Sequence, residues 1–188
     1  MWFPVQRHFL SGPSVMVIEV CADVMLSSLE EADAEACVDL LQEPEVHVGL
    51  LQMPNPYHRE DYERWFALVQ EDTRQLGQPI QFAIRELSGQ LLGGCGANEM
   101  IPGHKCEIGY WLGKPYWGQG IMTAVVEKLC DYLHRDFQLV RITASVFDGN
   151  TASMRVLEKN GFAHEGRMPK YYRKQGRYID GERFAKVW

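Results

Sequence analysis

The chain has 188 residues, of which 46% are hydrophobic and 23% are charged, and its formal net charge at pH 7 is −6. These values are typical of one globular domain that buries roughly 70% of the surface of its unfolded chain. The negative charge argues against a nucleic-acid binder, and no stretch reaches the roughly 18 uninterrupted apolar residues of a membrane-spanning helix.

The cysteines and the first residues indicate the compartment and the domain organisation. The five cysteines are widely spaced and form no CxxC pair, which favours reduced thiols in the cytosol over a disulfide framework or a zinc site. Pro4, Gln6 and Arg7 interrupt the apolar core that a signal peptide needs. We therefore expect a cytoplasmic protein with an N-terminal extension at residues 1–14, which can be flexible, and a single domain over residues 15–188.

The first third of the chain predicts a strand followed by two helices. Residues 15–26 are rich in apolar and β-branched residues and contain the first strand. Residues 27–42 read as a helix that Ser27 or Ser28 can cap. A second helix over residues 55–77 carries an apolar stripe and stops at Gly77.

The middle of the chain changes to the period of β-strands. Apolar residues alternate over residues 80–84, and turn signals at 88–89 and 102–103 separate two further strands at 90–100 and 105–112. In the last of these strands Glu107 lies on the opposite face from Ile108. The three strands predict a meander.

The last third predicts a helix, a strand, a helix and a terminal strand pair. Helical periodicity begins at Gly120, a strand follows at residues 140–146, and a short helix covers residues 150–161. The tail contains the turn signals "KQG" and "DG". The order of elements predicts a mixed α/β domain built on one sheet.

The stretch "YWGQGIMT", residues 116–123, places two glycines where this helix begins. The first N–H groups of a helix have no internal partner, the helix dipole adds positive charge there, and glycines let an anion approach. The pattern suits a phosphate or pyrophosphate. It matches neither a Walker loop nor a dinucleotide fingerprint, and a tight turn without a ligand is the alternative.

The surrounding sequence narrows this choice. "EIGYWLGKPYWGQGIMTAVV", followed about 30 residues later by "NTASMRVLEKNGF", resembles the GNAT superfamily of acetyl-CoA-dependent N-acetyltransferases, and most of all its RimJ/RimL-like branch. The resemblance covers residues 15–188. It implies a central mixed, mostly antiparallel sheet flanked by helices, with a V-shaped splay between the two central strands.

The resemblance also implies which residues hold acetyl-CoA. The main chain at Tyr110, Trp111 and Leu112 would pair with the pantetheine arm like an added strand, and the N–H groups of residues 118–123 would hold the pyrophosphate. The cofactor-binding set is therefore Tyr110, Trp111, Leu112, Trp117, Gly118, Gln119, Gly120, Ile121, Met122, Thr123, Asn150 and Ser153.

Two positions depart from the family pattern. Pro115 stands where the phosphate motif often has Gln or Arg, which is common in this branch. Leu157 stands in the short helix where many members carry a tyrosine that acts as the acid.

Three residues are candidates for the chemistry of acetyl transfer. Glu107 is the first candidate for the base, directly or through water, with a paired or solvated sheet-face carboxylate as the alternative and Glu99 as a weaker candidate. Ser153 is the candidate acid beside the sulfur. Asn150 is expected near the thiol and is equally a helix N-cap. A main-chain N–H near Trp111 is the expected oxyanion donor.

The acceptor side is predicted from aromatic residues on the second helix and the terminal strands. The candidates are Trp65, Tyr57 and Tyr171, with Tyr62 and Tyr172 beside them, and each is alternatively a packing residue. Lys114, Arg155 and Lys159 can meet phosphates or be solvated surface charge. No metal site is expected, because His104 and Cys106 lack metal-ligand spacing.

The leading hypothesis is an N-acetyltransferase that moves an acetyl group from acetyl-CoA to a primary amine, by direct attack in a ternary complex. The acceptor is either a protein N-terminal α-amine or a small-molecule amine. The alternatives are a catalytically weak acyl-CoA-binding regulatory module, favoured by Leu157, and a cofactor-free interaction domain. We expect no nucleic-acid or membrane partner, and a monomer or homodimer.

Overall fold

The computed structural model describes residues 16–51 and 53–188, so the predicted extension at residues 1–14 lies outside the described residues. Within them the strands are β1 (Val17–Cys21), β2 (Val24–Ser27), β3 (Gln81–Glu86), β4 (Leu91–Ile101), β5 (Lys105–Leu112), β6 (Arg141–Phe147), β7 (Ala163–Lys174) and β8 (Arg177–Val187). The α-helices are α1 (Ala34–Leu41), α2 (Pro44–Val48), α3 (Arg59–Leu76), α4 (Ile121–Phe137) and α5 (Thr151–Lys159).

These strands form one sheet in the order β1-β2-β3-β4-β5-β6-β8-β7. Neighbouring strands are antiparallel except β5 and β6, which run parallel. The meander β3-β4-β5 and the terminal hairpin β7-β8 are as expected from the sequence. The mixed, mostly antiparallel sheet confirms the predicted fold class.

Helices cover both faces of the sheet because alternate residues of each strand point to opposite sides. Phe82 and Ile84 of β3 join the core that packs against α4 and α5. Ala83, between them, joins a second core with residues of α1, α2 and α3. No helix within residues 16–51 and 53–188 is long and apolar enough to cross a membrane.

The N-terminal region differs from the prediction in three details. The segment read as one strand is the hairpin β1-β2, which turns at residues 22–23. The predicted helix at 27–42 begins later, with a 3₁₀ turn at Glu31–Asp33, because the Ser27 hydroxyl accepts a hydrogen bond from Arg85 Nε (2.8 Å) and does not cap a helix. Pro44 then opens a separate helix, α2, since proline is favoured in a first turn.

The predicted turn at Asp180-Gly181 is also wrong, because both residues lie inside β8. The hairpin turns at Gln175-Gly176, within the other predicted signal, "KQG". A Cβ at Gly181 would lie 2.9 Å from side-chain atoms of Met168 and Tyr172, so this glycine permits close packing within the hairpin.

Candidate active site

The two central strands separate at the middle of the sheet. β5 and β6 pair at only three positions, from Lys105 with Arg141 to Glu107 with Thr143. Beyond Glu107, β5 remains paired with β4 and β6 remains paired with β8. The two strands are therefore drawn apart, and the V-shaped slot predicted from the family resemblance is present.

The glycine turn lies between the end of β5 and the start of α4. Gly118 (φ 76°) and Gly120 (φ 80°) adopt left-handed conformations that favour glycine. A Cβ at either position would meet nothing within 4 Å, so the turn is open on its outer side. Glycine is required here for the backbone conformation and leaves the start of α4 accessible.

Main-chain N–H groups converge at this turn without partners. Among residues 16–51 and 53–188, no group accepts a hydrogen bond from the N–H of residues 119–122. Thr123 differs from the expectation, because its N–H is bonded to the Gly120 carbonyl (3.1 Å) in the first turn of α4. Together with the helix dipole, the free donors suit an anion with several oxygens.

Side chains hold the turn in shape around these donors. Trp117 Nε1 donates to the Leu112 carbonyl (2.7 Å), and Gln119 Nε2 donates to the Pro115 carbonyl (3.2 Å). The Leu112 carbonyl is therefore already used within the protein. Lys114 forms an ion pair with Glu45 of α2 (2.6 Å), so it does not point at the glycine turn as a free cation.

The start of α5 faces the slot from the same side of the sheet as α4. Asn150 is the N-cap, since its Oδ1 accepts the Ser153 N–H at 3.2 Å. The Ser153 hydroxyl lies 2.9 Å from the Tyr110 phenol oxygen. Burial raises the pKa of the Tyr110 phenol to about 12. The structure thus brings Tyr110, Asn150 and Ser153 together; Asn150 and Ser153 are the residues expected near the thiol, whereas the sequence assigned no role to the Tyr110 side chain.

Leu157, one turn further along α5, is fully buried in the core beneath α4. No hydroxyl stands at the position where many relatives of the resembled family carry tyrosine. The hydroxyl pair of Tyr110 and Ser153 lies one helical turn before it.

Glu107 lies on the opposite face of the sheet, at the point where the slot opens. Its Oε2 is 2.7 Å from Arg183 Nη1, and the same guanidinium bonds the hydroxyls of Ser145 (2.5 Å) and Thr143 (3.1 Å). Glu107 is therefore ion-paired, which is the alternative considered from the sequence. Glu99, the weaker candidate, is exposed in a β-bulge of β4.

The predicted acceptor residues fall into different environments. Tyr57 is only 3% exposed and packs in the second core, so it does not lie on an open acceptor surface. Trp65 is half-buried on α3 with its ring edge-on to Tyr62. Tyr171 is exposed on β7, and its ring meets Tyr172 edge-on at 4.9 Å. Tyr57 and Trp65 therefore share the second core, and Tyr171 is not part of it.

Comparison with known proteins decides the family of this fold. A sequence model described as the acetyltransferase (GNAT) domain matches residues 23–163. The chain belongs to the GNAT acetyltransferase family. The resemblance to the RimJ/RimL-like branch is confirmed by the relatives and structural neighbours of this GNAT protein.

Three similar proteins illustrate the relationship. The uncharacterized N-acetyltransferase p20 of Bacillus licheniformis is 30% identical over 164 residues, which cover 85% of this chain and 90% of p20. The L-amino acid N-acetyltransferase AaaT of Escherichia coli is 24% identical over 169 residues, covering 88% and 99%. The solved structure of RimL, a ribosomal L7/L12 α-N-protein acetyltransferase in complex with coenzyme A, superposes with a TM-score of 0.81 at 24% identity, covering 92% and 98%. The protein is an N-acetyltransferase.

Several residues of this GNAT site escaped the sequence reasoning. Arg183 pairs with Glu107 and also bonds Ser145, and neither residue was named from the sequence. Tyr172, whose pKa is raised by burial, also bonds Ser145, and this contact was not foreseen although Tyr172 was an acceptor-side candidate. They lie on β6, β7 and β8, which come together only through long-range pairing. The alternation of side chains along a strand was the one signal that could have pointed to Ser145, because it places Ser145 on the same face of the sheet as Thr143.

Proposed function

We propose that this GNAT enzyme transfers an acetyl group from acetyl-CoA to a primary amine by direct attack in a ternary complex. The observation that carries the proposal is the group of unpartnered N–H donors at residues 119–122, open on their outer side, beside the separated strands β5 and β6. These residues fit a pyrophosphate. Past Glu107 the edge of β5 that faces β6 is not paired with β6, and its main chain at residues 110–112, apart from the Leu112 carbonyl that Trp117 occupies, fits an extended pantetheine arm.

Acetyl-CoA supplies the thioester: the amine nitrogen bonds to its carbonyl carbon, and the carbon–sulfur bond breaks. The Ser153 hydroxyl, beside Tyr110, donates a hydrogen bond to the leaving sulfur or gives it a proton. A thiol with a pKa near 8.5 leaves readily as a thiolate, so a hydroxyl in place of the family tyrosine is sufficient. A main-chain N–H near Trp111 stabilises the oxyanion.

The amine must lose a proton before or during attack. Deprotonation at pH 7 costs about 4.6 kcal/mol for a lysine-type amine and about 1.4 kcal/mol for an α-amine. Glu107 accepts this proton, directly or through water. The Glu107 carboxylate is paired with Arg183 at 2.7 Å, and an α-amine needs less help to lose its proton than a lysine-type amine does.

A second candidate function is an acyl-CoA-binding regulatory module with little turnover. Two observations favour it: the buried Leu157 and the pairing of Glu107 with Arg183. Steady-state release of the CoA thiol, measured with a panel of peptides, polyamines and amino-sugars, separates the two functions. Release with any amine supports the enzyme, and binding of acetyl-CoA without release supports the module.

The pyrophosphate site is tested with Gly120→Trp, which fills the space in front of the free N–H groups. We expect the loss of acetyl-CoA binding in isothermal titration calorimetry. Gly77→Trp is the matched control, because Gly77 has a similar φ of 75° and equally open surroundings. Gly77 lies next to Gln78, whose side chain donates to the Asp136 carbonyl near the C-terminal end of α4. That end of α4 is about 24 Å from Gly120.

Both variants place a tryptophan in a left-handed conformation and lose similar stability, so the comparison isolates the site. Unchanged affinity in Gly120→Trp would show that the glycine turn does not hold acetyl-CoA. Equal loss in both variants would also contradict the assignment.

A further inference from the structure

One lysine ties the terminal hairpin to helix α2. Lys174 lies on β7, and its Nζ donates to the carbonyl oxygens of His47 (2.8 Å), Val48 (3.1 Å) and Leu50 (2.6 Å). The ammonium also lies 5.7 Å from the centre of the Phe147 ring. We call Lys174 and these three carbonyls the clasp.

The clasp joins two walls that stand on the Glu107 face of the sheet. One wall is the helical layer that contains α2, and the other is the hairpin β7-β8, which carries Tyr172 and Arg183. Phe147, beneath the ammonium, is at the end of β6, on the open side of the slot. The last pair between β5 and β6 is Glu107 with Thr143. The clasp therefore lies across the opposite, unpaired end of the slot, near Phe147.

The turn that follows α2 also reaches the proposed thiol region. A Cβ on Gly49 would lie 3.7 Å from Asn150 Nδ2, which is van der Waals contact with the N-cap of α5. Gly49 is in the segment whose carbonyls Lys174 holds. The polypeptide turn thus lies over Asn150, one helical turn from Ser153.

We propose that Lys174 determines the size of the acceptor: with the clasp formed the enzyme acetylates small amines, and a polypeptide N-terminus enters only when the clasp opens. This inference rests on the proposed function. The sequence leaves two classes of acceptor open, a protein N-terminal α-amine and a small-molecule amine. This inference assigns the small-molecule amine to the enzyme with the clasp formed.

The physical reason is the space that a peptide needs. An extended chain lies about 4.8 Å from a neighbouring strand and continues outward from the reacting amine. A turn this close to Asn150 leaves little width for that chain, whereas a small amine ends near the reacting nitrogen. Three charge-assisted hydrogen bonds from one ammonium hold the turn in place, and without the ammonium the turn loses these bonds and can move outward.

The test compares Lys174→Met with Lys170→Met. Methionine keeps the apolar stem of Lys174 over Phe147 and removes the donors. Lys170 is an exposed lysine on the same strand and serves as the control. For each protein, kcat/KM is measured with a free amino acid and with an octapeptide that has a free N-terminus.

We expect the peptide-to-amino-acid ratio of kcat/KM to rise about tenfold in Lys174→Met and to stay within about twofold in Lys170→Met. Amide hydrogen exchange at residues 46–51 should also accelerate in Lys174→Met alone. An unchanged ratio, unchanged exchange, or a wild type that prefers the octapeptide overturns this inference and leaves the proposed function intact. A wild type that binds acetyl-CoA and acetylates neither these acceptors nor any amine of the panel overturns the proposed function, and this inference with it.

Discussion

In the proposed mechanism, the hydroxyl pair of Tyr110 and Ser153 takes the place of the tyrosine that many GNAT enzymes carry in the short helix. The Tyr110 phenol, whose pKa burial raises, is a poor acid but a good hydrogen-bond donor. When it donates to Ser153 Oγ, 2.9 Å away, the serine proton is free to point into the slot. A strand tyrosine and a helix serine together can thus do the work for which many GNAT enzymes use one tyrosine.

Substitutions at this pair have different expected costs. Ser153→Ala removes the group that serves the sulfur and should lower kcat by roughly 100-fold. Tyr110→Phe removes one neutral hydrogen bond and should lower kcat about fivefold. Both are measured as CoA-thiol release at saturating acetyl-CoA, with the KM for acetyl-CoA as the control. A larger loss in Tyr110→Phe than in Ser153→Ala would contradict these roles.

Glu107 can be tested through the basicity of the acceptor. Because a lysine-type amine needs more help to lose its proton than an α-amine, Glu107→Gln should cost roughly tenfold more in kcat/KM with the lysine-type amine. Arg183→Met is the companion variant, since it releases the carboxylate from its ion pair. Equal losses of Glu107→Gln on both amines would remove Glu107 as the base.

At the scale of the elements, a buried ion pair fixes the helical layer to the sheet. Arg85 of β3 and Asp33, which precedes α1, are 6% and 4% exposed, and Arg85 Nη2 is 2.6 Å from Asp33 Oδ2. The Asp33 carboxylate also accepts the Glu30 N–H at 2.8 Å. Because the helical layer forms one wall of the slot, this pair sets the position of that wall.

Breaking the pair should destabilise the fold. Arg85→Met leaves the Asp33 carboxylate buried without its cation, and we expect a loss of about 3 kcal/mol in the free energy of unfolding, measured with urea. Arg74→Met is the control, because the pair of Arg74 with Glu71 is exposed and water screens it, so its loss should change the free energy of unfolding little. Similar losses in the two variants would show that burial does not set the cost.

At the scale of the whole molecule, the proposed acetyl-CoA site lies beside the gap between β5 and β6. It combines the edge of β5, the start of α4 and the start of α5, and β5 and β6 share only three paired positions. A ligand that spans this gap binds the folded protein alone. Its binding free energy therefore adds to global stability.

Acetyl-CoA at about 100 times its Kd should add about 2.7 kcal/mol, which raises Tm by about 5–10 °C for a domain of this size. The measurement is thermal unfolding with and without the ligand, and Gly120→Trp should show no shift. The absence of a shift in the wild type would favour the cofactor-free interaction domain over both acyl-CoA hypotheses.

Local signals predicted much of the fold and one side of the candidate site. The glycine turn, the Asn150 cap and the alternation in β5 are properties of a few consecutive residues, and each reads correctly from them. The turn predicted from the "DG" pair was wrong for the same reason, because turn propensity is a local property. Gly181 instead allows Met168 and Tyr172 of the neighbouring strand to pack closely against β8.

The sequence by itself determined most of the elements, the free donors at the start of α4 and the match of the glycine turn to one family pattern, because these depend on short-range spacing and backbone conformation. Only the tertiary structure decided that Arg183 holds Glu107, that Tyr110 meets Ser153, that Tyr57 is buried and that Lys174 holds the turn after α2. In the three hydrogen-bonded contacts among these, the two partners are between 43 and 124 residues apart in the sequence. Contacts at such separations depend on strand order and layer packing, which no local pattern encodes.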